Sequence, residues 1–423
     1  MEEVGRVKLF AVRTSPTGRG RFLFQILPLL LAIVIALSWT QTSQAAPPQN
    51  YDTLRLITEA FHEISQKYVW KKSEEEIVYG SLRGLMNSLD PDSSFLTPKE
   101  YKQILSGKKG PVAEAGVELI YKNNLLTVVS VLDNGPAWQA GLRPGDHIIK
   151  INGHLVRNLT TQEATRRFQG KPGTSFKLTV LRNNQVKPLD LTVTLEPLAP
   201  GRVTFTILKN AYAYIRLPYF TPETPGELSG VLKQLLRHQP PIKGMILDLR
   251  NNARGSLEQA VRAASPFLGN KEVATTRGRP PEPNQTYYGR GRDELSKLQM
   301  PLVVLVDGST ARAAEILAGA LRDQDHAVLL GSKTLGLCGL TKILPLQDGS
   351  ALIMTVAQCY TPRGQKIQGK GLTPEVTGKT PKTPPGVTTP AKLPPDQDPW
   401  VNQAIEVIQS GKVQKLAKKA VKS

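Results

Sequence analysis

Two short, almost wholly apolar runs, Gly244 to Leu249 and Leu302 to Val306, constrain this chain most. Each is too short for a helix, and each is followed by a segment with helical spacing, Leu257 to Phe267 and Ala313 to Leu321. Runs of this kind read as buried strands. An alternating strand, Ala211 to Leu217, and an amphipathic helix, Pro225 to Arg237, precede them. Strand and helix in alternation imply an α/β core whose binding loops lie at strand ends.

The 423 residues suffice for two or three domains. Leu54, Ile57, Phe61, Ile64 and Tyr68 recur at helical spacing, so residues 50–110 are expected to form a helical region. It includes the turn Asp90-Pro91-Asp92-Ser93-Ser94 and a short helix ending at Leu105. A separate β-rich domain is expected over 112–197 and the α/β core over 200–378. Residues 379–423 read as a Pro-rich linker, a helix from Pro399 to Ile408 and a basic tail with Lys412, Lys415, Lys418, Lys419 and Lys422. Arg277 to Gly291, rich in Pro, Gly and Arg, reads as a loop or flap.

The leading residues look like an export signal. Arg13, Arg19 and Arg21 precede an apolar run from Phe22 to Leu37, then Ser43-Gln44-Ala45. Cleavage after Ala45 is expected within a leader of residues 1–46; the alternative is an uncleaved anchor that holds the chain to a membrane. Either route exports the remainder, in a bacterium to the periplasm or the outer face of the inner membrane. The net charge of +19 is spread along the chain, without zinc spacing or a phosphate loop. It suggests a solvated surface that could meet anionic lipid, and no nucleic-acid partner. No metal or cofactor is expected.

Cys338 and Cys359 flank a hairpin with Asp348-Gly349 at its turn. A two-residue turn would set them directly opposite one another; a bulge at Gly349 would slip the pairing by one. The readings are a disulfide or two buried thiols.

Residues 301–376 resemble the core of the C-terminal processing (tail-specific) serine peptidases. In that family VNGGSASASEI carries the nucleophile, GEKTFGKGSVQ carries the lysine base, and DLRNNPGG forms the oxyanion loop. This chain reads VDGSTARAAEI, GSKTLGLCGLT and DLRNNARG. The resemblance implies that Arg312 stands at the nucleophile position, Leu337 at the base and Thr341 at the following glutamine. Arg254 replaces a glycine beside Gly255. Arginine can neither attack nor accept a proton, and leucine does no proton chemistry. Losing such a nucleophile costs about a million-fold in turnover. The reading is therefore a pseudoprotease; an active serine endopeptidase with a displaced nucleophile is the alternative. Ser309 and Lys333 are the weak substitutes, with Thr310 and Lys342 behind them. Arg312 is expected to extend from a relaxed cleft into solvent; the alternative is pairing with an acidic group or with the terminal carboxylate of a captured peptide.

Gly116 to Pro197 resembles a PDZ domain, on Gly116-Val117-Glu118-Leu119, Gly135-Pro136-Ala137 and Pro144-Gly145-Asp146. That likeness implies capture of protein C-termini, with the terminal carboxylate at Glu114, Ala115, Gly116 and Val117. The alternative is a PDZ domain that only packs on the core. Further partners implied are an active paralogous peptidase and, through the helical region, a second copy of the chain.

Overall fold

The computed structural model describes residues 51–106, 113–122, 125–157, 159–182, 185–198, 201–279, 284–291, 300–379 and 393–413. The leader, most of the linker and the tail lysines beyond Lys412 lie outside the described residues. The chain divides into two compact units, Met1–Ile77 and Val78–Ser423. The first contains the amphipathic helix Tyr51–Lys67.

Within the second unit the core is a six-stranded sheet. Its strands run in the order Thr204–Leu208, Tyr212–Arg216, Gly244–Asp248, Leu302–Val306, Ala327–Gly331 and Val376–Thr377. Only the first pair is antiparallel. Both faces are covered, which is why the strands carry unbroken apolar runs. Leu247, Val304 and Leu329 point to the helices Thr224–Leu236, Leu257–Leu268 and Ala313–Asp323. Ile246, Val303, Leu305, Val328 and Leu330 point the other way, to Trp400, Val401, Ala404 and Ile405 of the helix Pro399–Gln409. That last helix, assigned from sequence to the linker and tail, is part of the core.

A second sheet pairs Ala351–Tyr360 with Gly339–Pro345 on one edge and with Ser94–Leu96 and Glu272–Gly278 on the other. The expected helical region thus contributes a strand to the core. Gln285–Tyr288 adds to this sheet, so the Arg277 to Gly291 segment is not wholly a loop. Of the two readings of the 339–360 hairpin, the tip takes the one slipped by one residue, with Pro345 opposite Ala351. Asp348 accepts from both the N–H and the hydroxyl of Ser350, and Leu346 N–H bonds the Ser350 carbonyl, so three residues make the tip. A bulge at Leu340/Thr341 absorbs the slip, and Gly339 faces Gln358.

The PDZ domain has its own core, formed by Val117–Lys122, Leu125–Val131, His147–Ile151, Ser175–Leu181 and Leu189–Thr194 with the helix Thr161–Arg167. The Thr160 hydroxyl accepts from Glu163 N–H while the Glu163 carboxylate accepts from Thr160 N–H, a capping box that fixes where this helix starts.

Candidate active-site cleft

Three loops leave the carboxyl ends of neighbouring parallel strands: 249–256, 307–312 and 332–338. Binding sites in open α/β sheets form there. Arg312 sits on the sharp turn into the helix Ala313–Asp323, at φ +55° and ψ −120°, and its N–H bonds the Leu337 carbonyl at 2.9 Å. A non-glycine residue in this region costs about 1–3 kcal/mol, so the surrounding structure imposes the turn.

The side chain does not extend into solvent as expected. Arg312 Nη2 lies 2.7 Å from Asp92 Oδ1, and the Asp92 carboxylate is only 6% exposed. Desolvation of that carboxylate favours a nearby cation over water. Leu337 is buried among Ile120, Val129, Ala253 and Ala311, so two PDZ side chains close over the base position. Thr341 is exposed on the hairpin, opposite Thr355.

Among the described residues no hydrogen bond or ion pair joins Ser309 to Lys333, and Lys333 is exposed. Thr310 is fully buried, its hydroxyl donating to the Leu249 carbonyl at 2.9 Å.

The oxyanion-loop equivalent is held from several sides. Asn251 donates to the Val131 carbonyl at 2.6 Å and accepts from Val131 N–H at 3.1 Å, tying the loop to the PDZ domain. Gly255 has φ +133°, and a Cβ there would lie 2.5 Å from the Phe220 Cβ, so only glycine fits. Arg254 reaches away from the loop, Nε 2.7 Å from Glu118 and Nη2 3.0 Å from Glu114. Arg250 lies beneath, wholly buried between Asp248 (2.5 Å) and Asp398 (2.8 Å). Burial would raise Asp248, but Arg250 and Arg216 hold it at about 2.

Glu315 is buried behind Leu337 and accepts from the Thr334 hydroxyl, Gly336 N–H (2.7 Å) and Leu337 N–H (2.9 Å). Burial pushes its carboxyl from 4.5 up to about 7 against these donors. The folded chain keeps this proton where the unfolded chain has released it. Its contribution to stability is therefore full below the unfolded value of 4.5 and is lost as pH rises through about 7. The expected loss is on the order of 3 kcal/mol, and Glu315→Gln should flatten that part of the slope in urea unfolding between about pH 5 and about pH 8.

Cys338 and Cys359 are joined as a disulfide with Cα atoms 5.6 Å apart, next to Leu337. Closing a loop of 21 residues in sequence separation stabilises by about 3 kcal/mol. Among the described residues no cluster of three or more His, Cys, Asp or Glu could hold a metal, and no helix is long and apolar enough to cross a membrane.

Sequence reasoning located the loops, with Asn251 and Glu118 in their motifs, but did not foresee the contacts that Glu118, Asn251 and Asp398 make. Asp398 precedes Pro399-Trp400 and so signals a helix start, without indicating that its second oxygen faces a buried guanidinium.

The chain matches peptidase family S41 over residues 211–377 and the PDZ domain over 127–182. It is 33% identical over 353 residues to a carboxy-terminal-processing protease of Bartonella bacilliformis, covering 82% of this chain and 80% of that protein. It is 32% identical over 333 residues to a probable CtpA-like serine protease of Staphylococcus aureus, covering 78% of this chain and 65% of that one. Among solved structures it resembles the photosystem II D1 C-terminal processing protease, with a TM-score of 0.63 and 25% identity, covering 78% of this chain and 94% of that one. Fold, loop geometry and these likenesses agree that the chain belongs to the carboxy-terminal-processing protease family of S41 peptidases.

Proposed function

We propose that this chain is an exported, noncatalytic member of its family that binds unstructured protein C-termini through its PDZ domain. The observation that carries this reading is the pairing of Arg312 with Asp92 at the nucleophile position, beside a buried Leu337 at the base position. Neither residue can make or relay the alkoxide that acyl transfer needs. The PDZ domain supplies the substrate-side chemistry, a strand edge and a carboxylate loop. Such a binder would present or protect C-termini, alone or beside an active paralogue, in the periplasm or on the outer face of the inner membrane.

The test has two arms. Full-length protein incubated with a fluorophosphonate probe and an unfolded substrate should show neither labelling nor cleavage. Peptides with a free C-terminus should bind better than the same peptides amidated. Labelling that Ser309→Ala abolishes would replace this reading with that of an active enzyme using a displaced nucleophile.

A further inference from the structure

Three of the four departures from the family's motifs do different things. Arg312 and Leu337 are occupied by Asp92 and by apolar neighbours. Arg254 still has unused chemistry, and it points at the PDZ carboxylate loop.

The loop Glu114-Ala115-Gly116-Val117 has a liability as an anion site, because the Glu114 carboxylate repels a second carboxylate brought beside it. Arg254 answers that charge from the core side. Its Nη2 lies 3.0 Å from Glu114 and its Nε 2.7 Å from Glu118. Its guanidinium carbon stands 5.7 Å from the Tyr219 ring, which keeps the head group over the loop. A guanidinium has five N–H donors. Among the described residues two of its nitrogens are engaged and Nη1 is not. Gly116 turns at φ +73°, and its N–H has no partner among the described residues. Gly116, Val117, Glu118 and Arg254 share the wall of one cavity of about 20 Å³, room for a single oxygen-sized group.

We infer that Arg254, on the oxyanion-loop equivalent of the core, is a binding residue for the terminal carboxylate of a captured peptide. The free acid takes the guanidinium from Glu114, and the Gly116 N–H supplies a second donor. The core thereby becomes part of the PDZ site, and the substitution that spoils an oxyanion loop creates an anion receptor. This deepens the proposed C-terminus binding and rests on it. A rival role is a plain tie, in which Arg254 only fastens the PDZ domain to the core.

The two roles predict opposite results. A fluorescein-labelled, unstructured ten-residue peptide ending in Ala-Ala is titrated with full-length protein, as the free acid and as the amide, followed by anisotropy. For Arg254→Gln the receptor role predicts free-acid binding weakened roughly ten-fold or more, as for loss of a charge-assisted hydrogen bond, with amide binding unchanged. Arg254→Lys should keep part of the preference, and Glu114→Gln should tighten free-acid binding alone by removing the competitor. Unchanged thermal unfolding of each variant checks the fold. If Arg254→Gln keeps the wild-type preference, or tightens both peptides alike, the receptor role is wrong while C-terminus capture stands. If the wild-type chain binds neither peptide, capture itself fails and the receptor role fails with it.

Discussion

Arg312→Ser should leave the protein unlabelled by fluorophosphonate and without measurable cleavage, although it returns a hydroxyl to the nucleophile turn. The φ of +55° at that position is already imposed by the surrounding structure, with the N–H tied to the Leu337 carbonyl. Serine would therefore occupy the intended place. What it lacks is a base. In units of this kind losing one member costs nearly as much as losing all, so turnover should stay about a million-fold below that of an intact dyad. Adding Leu337→Lys places an amine among Ile120, Val129, Ala253 and Ala311, where desolvation lowers its pKa and favours the neutral, proton-accepting form. The double variant should therefore label where the single one does not. Labelling of Arg312→Ser alone would show that a base exists elsewhere in the cleft, and the reading of Leu337 as a lost base would fall, leaving Arg312 alone to silence the site.

Asp398→Ala should destabilise the core by about 3–5 kcal/mol, the largest effect expected of one substitution away from the cleft. Arg250 is fully buried, and its charge is balanced by Asp248 and Asp398. Removing one carboxylate leaves a guanidinium with half its partners and no access to water. The same change uncaps the helix Pro399–Gln409, since Asp398 accepts from Trp400 N–H at 2.8 Å. Asp398→Asn keeps the cap and loses only the charge, so its cost should fall between wild type and alanine. Urea unfolding followed by tryptophan fluorescence reads both. A loss below about 1 kcal/mol for alanine would mean that Arg250 is solvated in solution.

The α/β core was legible because a strand covered on both faces must be apolar on both, and Leu302 to Val306 allows no other reading. The motif loops were legible because their glycines and polar residues stand at strand ends. The rest was hidden for identifiable reasons. Residue spacing left the hairpin register open between two turns; the Ser350 hydroxyl donating to Asp348 at the tip and the bulge at Leu340/Thr341 appear only in the folded chain. Gln285–Tyr288 is four residues of strand in a stretch rich in Gly, Pro and Arg, too short to outweigh that composition. Asp92 and Arg312 are 220 positions apart, and only the folded chain brings them together. Glu118 lies one residue beyond the carboxylate loop as the sequence defines it, yet it holds half of the Arg254 contact.

The buried Arg250–Asp398 pair also sets an order on maturation. One of the two carboxylates that hold Arg250 beneath the first cleft loop is encoded far downstream of it, so a nascent chain lacks that support until its last helix is made. Full support of that loop then comes late, when the final helix docks against the sheet.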